Sequence, residues 1–166
     1  MSDGRRRRLE LWLAMAVVAA DQASKALVRS RIPELTAVTV VPGLLNLVHV
    51  QNTGAAFGVL EFVDFPFKSL VVSTVAVLAL AAVGAYASSI ARHQVVARTA
   101  LALIIGGAAG NLVDRVALGS VVDFVDVYWR TWHFWAFNVA DSSITVGVGI
   151  MILDMLGTGS HVSTAV

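Results

Sequence analysis

The chain lacks cysteine altogether and carries little charge. Without cysteine there are no disulfide staples, no thiolate zinc sites and no cysteine nucleophile. Charged residues make up 14% of the 166 residues, against about 25% in ordinary soluble domains. A net charge of +1 gives no electrostatic footprint for nucleic acid. Two hydrolase patterns are also missing: there is no His-Glu-x-x-His zinc motif and no Gly-x-Ser-x-Gly elbow. His49 and His133 stand alone and read as surface or interfacial residues. What the chain has in abundance is apolar: 57% hydrophobic residues and a mean hydropathy of +0.78. That is a membrane composition.

Four stretches approach the roughly 20 residues that cross hydrocarbon as a helix. They run near Leu9–Val28, Phe67–Ile90, Val95–Val116 and Phe137–Leu156. The first follows a run of arginines and imitates a secretory leader, but further apolar spans follow it, so it reads as a retained first helix. Short cytoplasmic loops carry excess Lys and Arg. Arg5, Arg6, Arg7, Arg8, Arg92 and Arg98 fall on one side, against Arg29, Arg31, Lys68 and Arg130 on the other. Both termini are therefore expected in the cytoplasm, with 32–66 and 117–136 outside. The first outer segment contains "LLNLVHVQN" after a Pro42-Gly43 turn and predicts a short sheet ending at "NTGAAFG". The second holds Phe124, Tyr128, Trp129, Trp132, Phe134, Trp135 and Phe137, and predicts a short helix lying on the membrane–water boundary.

Ionisable groups inside apolar spans are costly and mark either function or a buried network. Asp21 and Lys25 are four apart, acid first, the spacing and order of an intrahelical ion pair. In "GGAAGNLVDRV", Gly106, Gly107 and Gly110 allow close helix approach. Asn111, Asp114 and Arg115 then project to one side, either as a packing network or with Arg115 reaching another element. Asn138 is a good N-cap, and Asp141 three residues later suits a capping box. Taken singly, Asp141 reads as a cap and Asp123 as a solvated interfacial carboxylate.

Together they read differently. Asp123 follows the third span and Asp141 opens the fourth on the same side, so a hairpin between them brings both carboxylates to one place. Two such carboxylates share one proton. The ionised member draws a proton from water while the protonated one polarises a carbonyl. Peptide hydrolysis needs nothing more. A proton-handling transporter is the alternative from another class, but its acids should cross the bilayer rather than gather at one boundary. A purely structural subunit leaves the placing of the two acids unexplained.

The motifs "DQASK" (Asp21–Lys25), "VQNTGAAFG" (Val50–Gly58), "GGAAGNLVDR" (Gly106–Arg115), "GSVVDF" (Gly119–Phe124) and "FNVADSSI" (Phe137–Ile144) occur in the order seen in bacterial lipoprotein signal peptidases, or signal peptidase II, which the chain resembles over most of its length. The resemblance implies a mainly α membrane protein: four transmembrane helices, a small extracytoplasmic β-sheet cradle and a short interfacial helix, in a single integral-membrane domain over 1–166. It implies an intramembrane aspartyl endopeptidase that removes signal peptides from diacylglyceryl-modified prolipoproteins, cutting before the lipidated cysteine. By motif match Asp123 and Asp141 are the catalytic pair. Asn52, Gly54, Asn111, Arg115 and Asn138 support or line the site, and Asp21, Lys25 and Asp114 hold the scaffold. The implied partners are lipidated precursors and membrane lipids, with no nucleic acid, and a monomer suffices. No metal or organic cofactor is called for. Two departures stand out: Trp135 occupies a position where many members carry proline, and the tail lacks basic residues.

Overall fold

The structure is a computed structural model that describes residues 3–54 and 67–159. Its elements run α1 (Asp3–Arg31), β1 (Ala37–Val41), β2 (Leu45–Asn52), α2 (Lys68–Ser89), α3 (Val95–Leu118), β3 (Val121–Trp129), β4 (Trp132–His133) and α4 (Val139–Gly159). All four helices are long and apolar enough to cross a membrane. The fold is therefore the four-span architecture with a small antiparallel sheet that the sequence predicts. Of the expected "NTGAAFG" turn, residues 55–58 lie outside the described residues.

Helix α3 is the centre of the bundle, packing on α4, α1 and α2. Its buried positions are mostly small: Ala97, Ala100, Ala102, Gly106, Gly107 and Gly110. In lipid the driving force for helix association is close packing rather than exclusion of water, so small residues mark the contact. A methyl group added at Gly107 would collide with the Ala140 carbonyl oxygen, and one at Gly110 would sit 2.8 Å from an Asp21 carboxylate oxygen. The two glycines thus bring α4 and α1 against α3 one turn apart. Helix α2 buries only Val72 among its described residues. At the end of the bundle away from the sheet, Arg98 of α3 forms a two-pronged ion pair with Glu10 of α1, at 2.6 and 2.7 Å. The same guanidinium donates to the carbonyls of Ala87 and Ile90 where α2 finishes.

The sheet has the order β1-β2-β3-β4, antiparallel throughout. Pairing of Asn52 with Val121 and of Val50 with Asp123 ties the two outer segments together. The sheet is seated on the end of α1 by Val28 and by Ile32 just beyond the helix, which pack against Val122 and Phe124. Each such buried side chain contributes about 1.5–3 kcal/mol. Val122 is fully buried, so this contact fixes the height of the residue beside it, Asp123.

One expectation is corrected: the segment 117–136 forms no interfacial helix. Helix α3 stops at Leu118, where Gly119 takes φ 76° and its N–H caps the Arg115 carbonyl. The chain then turns back as the β3–β4 hairpin, with Trp129 opposite Trp132. Val121, Val122, Val125 and Val127 are β-branched and favour a pleated strand. Arg130 at φ 55° supplies the positive φ that a two-residue hairpin turn demands. Trp129, Trp132 and Trp135 nonetheless remain exposed, as boundary aromatics should.

Gly107→Ala should cost about 1–3 kcal/mol through overpacking, seen as a lower unfolding temperature in detergent. Gly149→Ala is the control, since a methyl there meets nothing within 4 Å. Equal melting of the two variants would show that α4 does not need the close approach at Gly107.

Candidate active site

The site grows from a buried charged cluster. Lys25 on α1 lies 2.7 Å from Asp21 one turn earlier and 3.0 Å from Asp114 on α3. All three are sealed from solvent. Burying charge is tolerated only when each atom finds partners, and these do. Asp21 Oδ1 accepts the backbone N–H of Ala140 at 3.0 Å, and Asp114 Oδ2 accepts that of Val122 at 3.1 Å. The residues so gripped are the immediate neighbours of Asp141 and Asp123. Gln22 completes the cluster, donating to Asp21, to Asp114 and to the Gly110 carbonyl.

Asp141 lies in the first turn of α4, three residues after Asn138. The Asp141 N–H donates to Asn138 Oδ1 at 2.9 Å, and the Asn138 N–H donates back to Asp141 Oδ2 at 3.2 Å. This is a reciprocal capping box with aspartate in place of the usual glutamate. It leaves Asp141 Oδ1 to accept from the Asn111 amide at 2.8 Å. Capping and a place in the site are therefore compatible.

Asn138 also reaches Asp123. Its Nδ2 donates to Asp123 Oδ1 at 2.7 Å, while Asn52 Nδ2 donates to Asp123 Oδ2 at 3.1 Å. One fully buried asparagine thus holds both carboxyl groups. Asp123 is itself buried on β3 rather than solvated at the interface. Val122 inserts against α1 and draws the strand inward, which the isolated carboxylate in the sequence does not reveal.

Burial pushes the Asp123 carboxyl up to about 7, and the negative charge of Asp141 adds to the rise. Hydrogen bonds from Asn52 and Asn138, with the charge of Lys25, act in the opposite direction. Asp123 thus keeps its proton to near neutrality beside a second carboxylate, so one proton belongs to the pair. Such a pair can activate water on one member and protonate an oxygen on the other.

Arg115 reaches another element, one of the two alternatives its sequence position leaves open. Its guanidinium donates at 3.3 Å to the carbonyl of Gly54, just after β2, and at 3.3 Å to that of Asn111. The Gly54 N–H in turn donates to Asn52 Oδ1 at 2.8 Å. The structure thus gathers Asn52, Gly54, Asn111, Arg115 and Asn138 around Asp123 and Asp141, with Asp21, Lys25 and Asp114 directly behind. Gln22 escapes a reading of the sequence, although it lies inside "DQASK" beside the ion pair. Among the described residues, no group of three histidines or carboxylates is arranged to hold a metal.

The model of the family described as signal peptidase (SPase) II matches residues 13–157. A lipoprotein signal peptidase of Syntrophotalea carbinolica is 45% identical over 147 residues, covering 88% of this chain and 89% of that protein. The one from Geobacter metallireducens is 44% identical, covering 82% and 83%. Among solved structures, a bacterial membrane enzyme determined by the in meso method at 2.3 Å superposes with a TM-score of 0.83 at 30% identity, covering 95% of this chain and 93% of that one.

The Asn52 amide donates to the charged form of Asp123, so Asn52→Ala should move the Asp123 titration upward from about 7. Carbon-13 NMR of the labelled carboxyl reads the midpoint. A midpoint that stays put or falls would show that Asn52 does not steady that carboxylate.

Proposed function

The chain belongs to the signal peptidase II family, the bacterial inner-membrane proteases that process lipoproteins, and on that premise we propose that it is an intramembrane aspartyl endopeptidase with Asp123 and Asp141 as its catalytic dyad. Its substrate is a diacylglyceryl-modified prolipoprotein, cut just before the lipidated cysteine. The observation that carries this reading is the asparagine that binds both carboxyls: Asn138 donates through its side chain to Asp123 and through its backbone to Asp141.

The environments differ in a way that assigns roles. Asp141 sits in the first turn of α4, where the helix dipole favours an anion, and it is less buried than Asp123. It takes the proton from the attacking water. Asp123, which keeps its proton to about pH 7, gives that proton to the carbonyl oxygen as the water oxygen bonds to the carbonyl carbon. The resulting diol collapses: one hydroxyl returns its proton to Asp123 as the C–N bond breaks, and the departing nitrogen takes the proton held by Asp141. A carboxyl and an amine leave, and the pair retains one proton. Arg115, held against the Gly54 carbonyl, stiffens the turn that presents Asn52 to Asp123.

A lipidated precursor stays in the bilayer, so acids and water must come to it at the membrane boundary. The sheet and the aromatic hairpin shelter that point, and the apolar helices offer a surface for the signal helix and acyl chains. One chain holds both carboxyls and their partners, so a monomer and a single integral-membrane domain suffice. The arginine run in the first turns of α1, ahead of its apolar stretch, supports a topology with both termini in the cytoplasm and the dyad near the outer face.

Asp123→Asn and Asp141→Asn should each lower cleavage of a lipidated precursor by about 10³-fold or more, while the protein still inserts and melts cooperatively. Substantial turnover by either variant would sink the dyad. The unlipidated precursor should be a poor substrate in the same assay. With the wild-type enzyme, activity should decline above about pH 7, as the proton on Asp123 is lost; a flat profile through that range would contradict its role as the acid. A cysteine introduced at Thr131, an exposed position in the hairpin turn, should react with an impermeant maleimide from outside intact cells. Labelling only from the cytoplasm would invert the topology.

A further inference from the structure

Three asparagine amides converge on the dyad, and each has two possible orientations, oxygen or NH2 toward a given neighbour. In each case a group that can only donate decides. The Gly54 N–H faces Asn52 Oδ1 at 2.8 Å, so the Asn52 NH2 must face Asp123. The Asp141 N–H faces Asn138 Oδ1 at 2.9 Å, so the Asn138 NH2 must face Asp123. For Asn111 the deciding group is a side chain: Lys25 Nζ lies 3.0 Å from Asn111 Oδ1, which turns the NH2 toward Asp141 Oδ1 at 2.8 Å. The opposite orientation would set an NH2 against an ammonium and a carbonyl against a carboxylate. Asn138 Nδ2 adds a weaker contact to the same oxygen at 3.2 Å.

We propose that Lys25 is a positioning residue of the peptidase that works through Asn111, orienting that amide so that Asp141 is presented as a proton acceptor. This goes beyond the scaffold role that an intrahelical ion pair with Asp21 suggests, and it rests on the dyad reading above. Lys25 touches neither dyad carboxyl. Its charge acts on both carboxyls through space, but its hydrogen-bonded path to Asp141 runs through one amide, and a lysine serves there because its ammonium has three donors and no acceptor. Two of those donors meet Asp21 and Asp114, and the third meets Asn111.

A mutant cycle separates this role from support of the fold. Asp21→Asn combined with Lys25→Met removes one negative and one positive charge, so the cluster keeps its net charge. The amide oxygen that Asp21→Asn introduces can still accept from the Ala140 N–H. The pair of changes should lower kcat about 10²-fold, with KM within about twofold. Placed on Asn111→Ala, the same two changes should add little, because the amide they orient is gone. Asp21→Asn alone is the reference in both backgrounds.

Full additivity of the kcat losses, or losses that follow the folded fraction alone, would overturn the proposal. A second measurement needs no Lys25 variant. In nitrogen-15 spectra, the Asn111 side-chain amide, assigned by its disappearance in Asn111→Ala, should shift in Asp141→Asn. An unresponsive amide would mean that its NH2 does not face Asp141 and would overturn the proposal too. Cleavage retained by Asp141→Asn would refute the dyad itself. Loss of cleavage in Asp141→Asn together with additive Lys25 and Asn111 effects would refute only the inference about Lys25.

Discussion

A lysine between two carboxylates, entirely removed from solvent, is the constraint on which the rest of the structure depends. Taking such charges out of water costs several kcal/mol per ion, and their mutual attraction offsets this only when the geometry is good and the remaining hydrogen-bonding capacity is used. Here Lys25 is shared by Asp21 and Asp114, and both acids also accept backbone N–H groups. Because those donors belong to Ala140 and Val122, satisfying the cluster locates the start of α4 and the start of β3 together. The dyad residues are the next ones along each chain segment. The cost of burying charge is thereby converted into the placement of the two carboxyls of the proposed dyad.

Such a cluster closes only if three helices come unusually near one another. Gly110 makes room for the Asp21 carboxylate itself, and Gly107 for the backbone of α4. A side chain at either position would push apart the partners that neutralise the charge, and the two requirements reinforce each other. The sheet adds a third restraint from the other direction, with Val122 and Phe124 packed on Val28 and Ile32. Of the four spans, the second is the least buried. Helix α2 buries a single described residue and is fastened near its finish by the Arg98 donors.

Much of this was legible in the residues alone. The four spans follow from apolar length, and α2 at Lys68–Ser89 falls within a residue of the expectation at each end. The capping box at Asn138 and Asp141 was readable because its spacing is local. What spacing could not show is that Asp141 divides its two oxygens between the cap and Asn111. Likewise the i, i+4 pairing of Asp21 and Lys25 is visible in the sequence, whereas Asp114 and Asn111 reach Lys25 from another helix. The expected helix in 117–136 failed because aromatic content marks a boundary location but not a backbone conformation. The valines of β3 carried that information, and their alternation is blurred because Val121, Val122, Asp123 and Phe124 are all buried, on both faces of the strand.

That burial gives the two carboxylates of the proposed dyad different surroundings. Asp141 gains a helix terminus and partial access, whereas Asp123 gains a strand buried on both faces, and burial is what carries its titration to about 7. Two carboxyls with the same partners and exposure would compete for the proton with no preferred holder. Here the difference is built into the backbone, since one acid rides on a helix and the other on a strand. The amides then preserve it, because none can reverse without facing a donor-only group with its NH2. A site made this way holds its two acids in different settings by backbone placement alone, which is what the proposed division between acid and base requires.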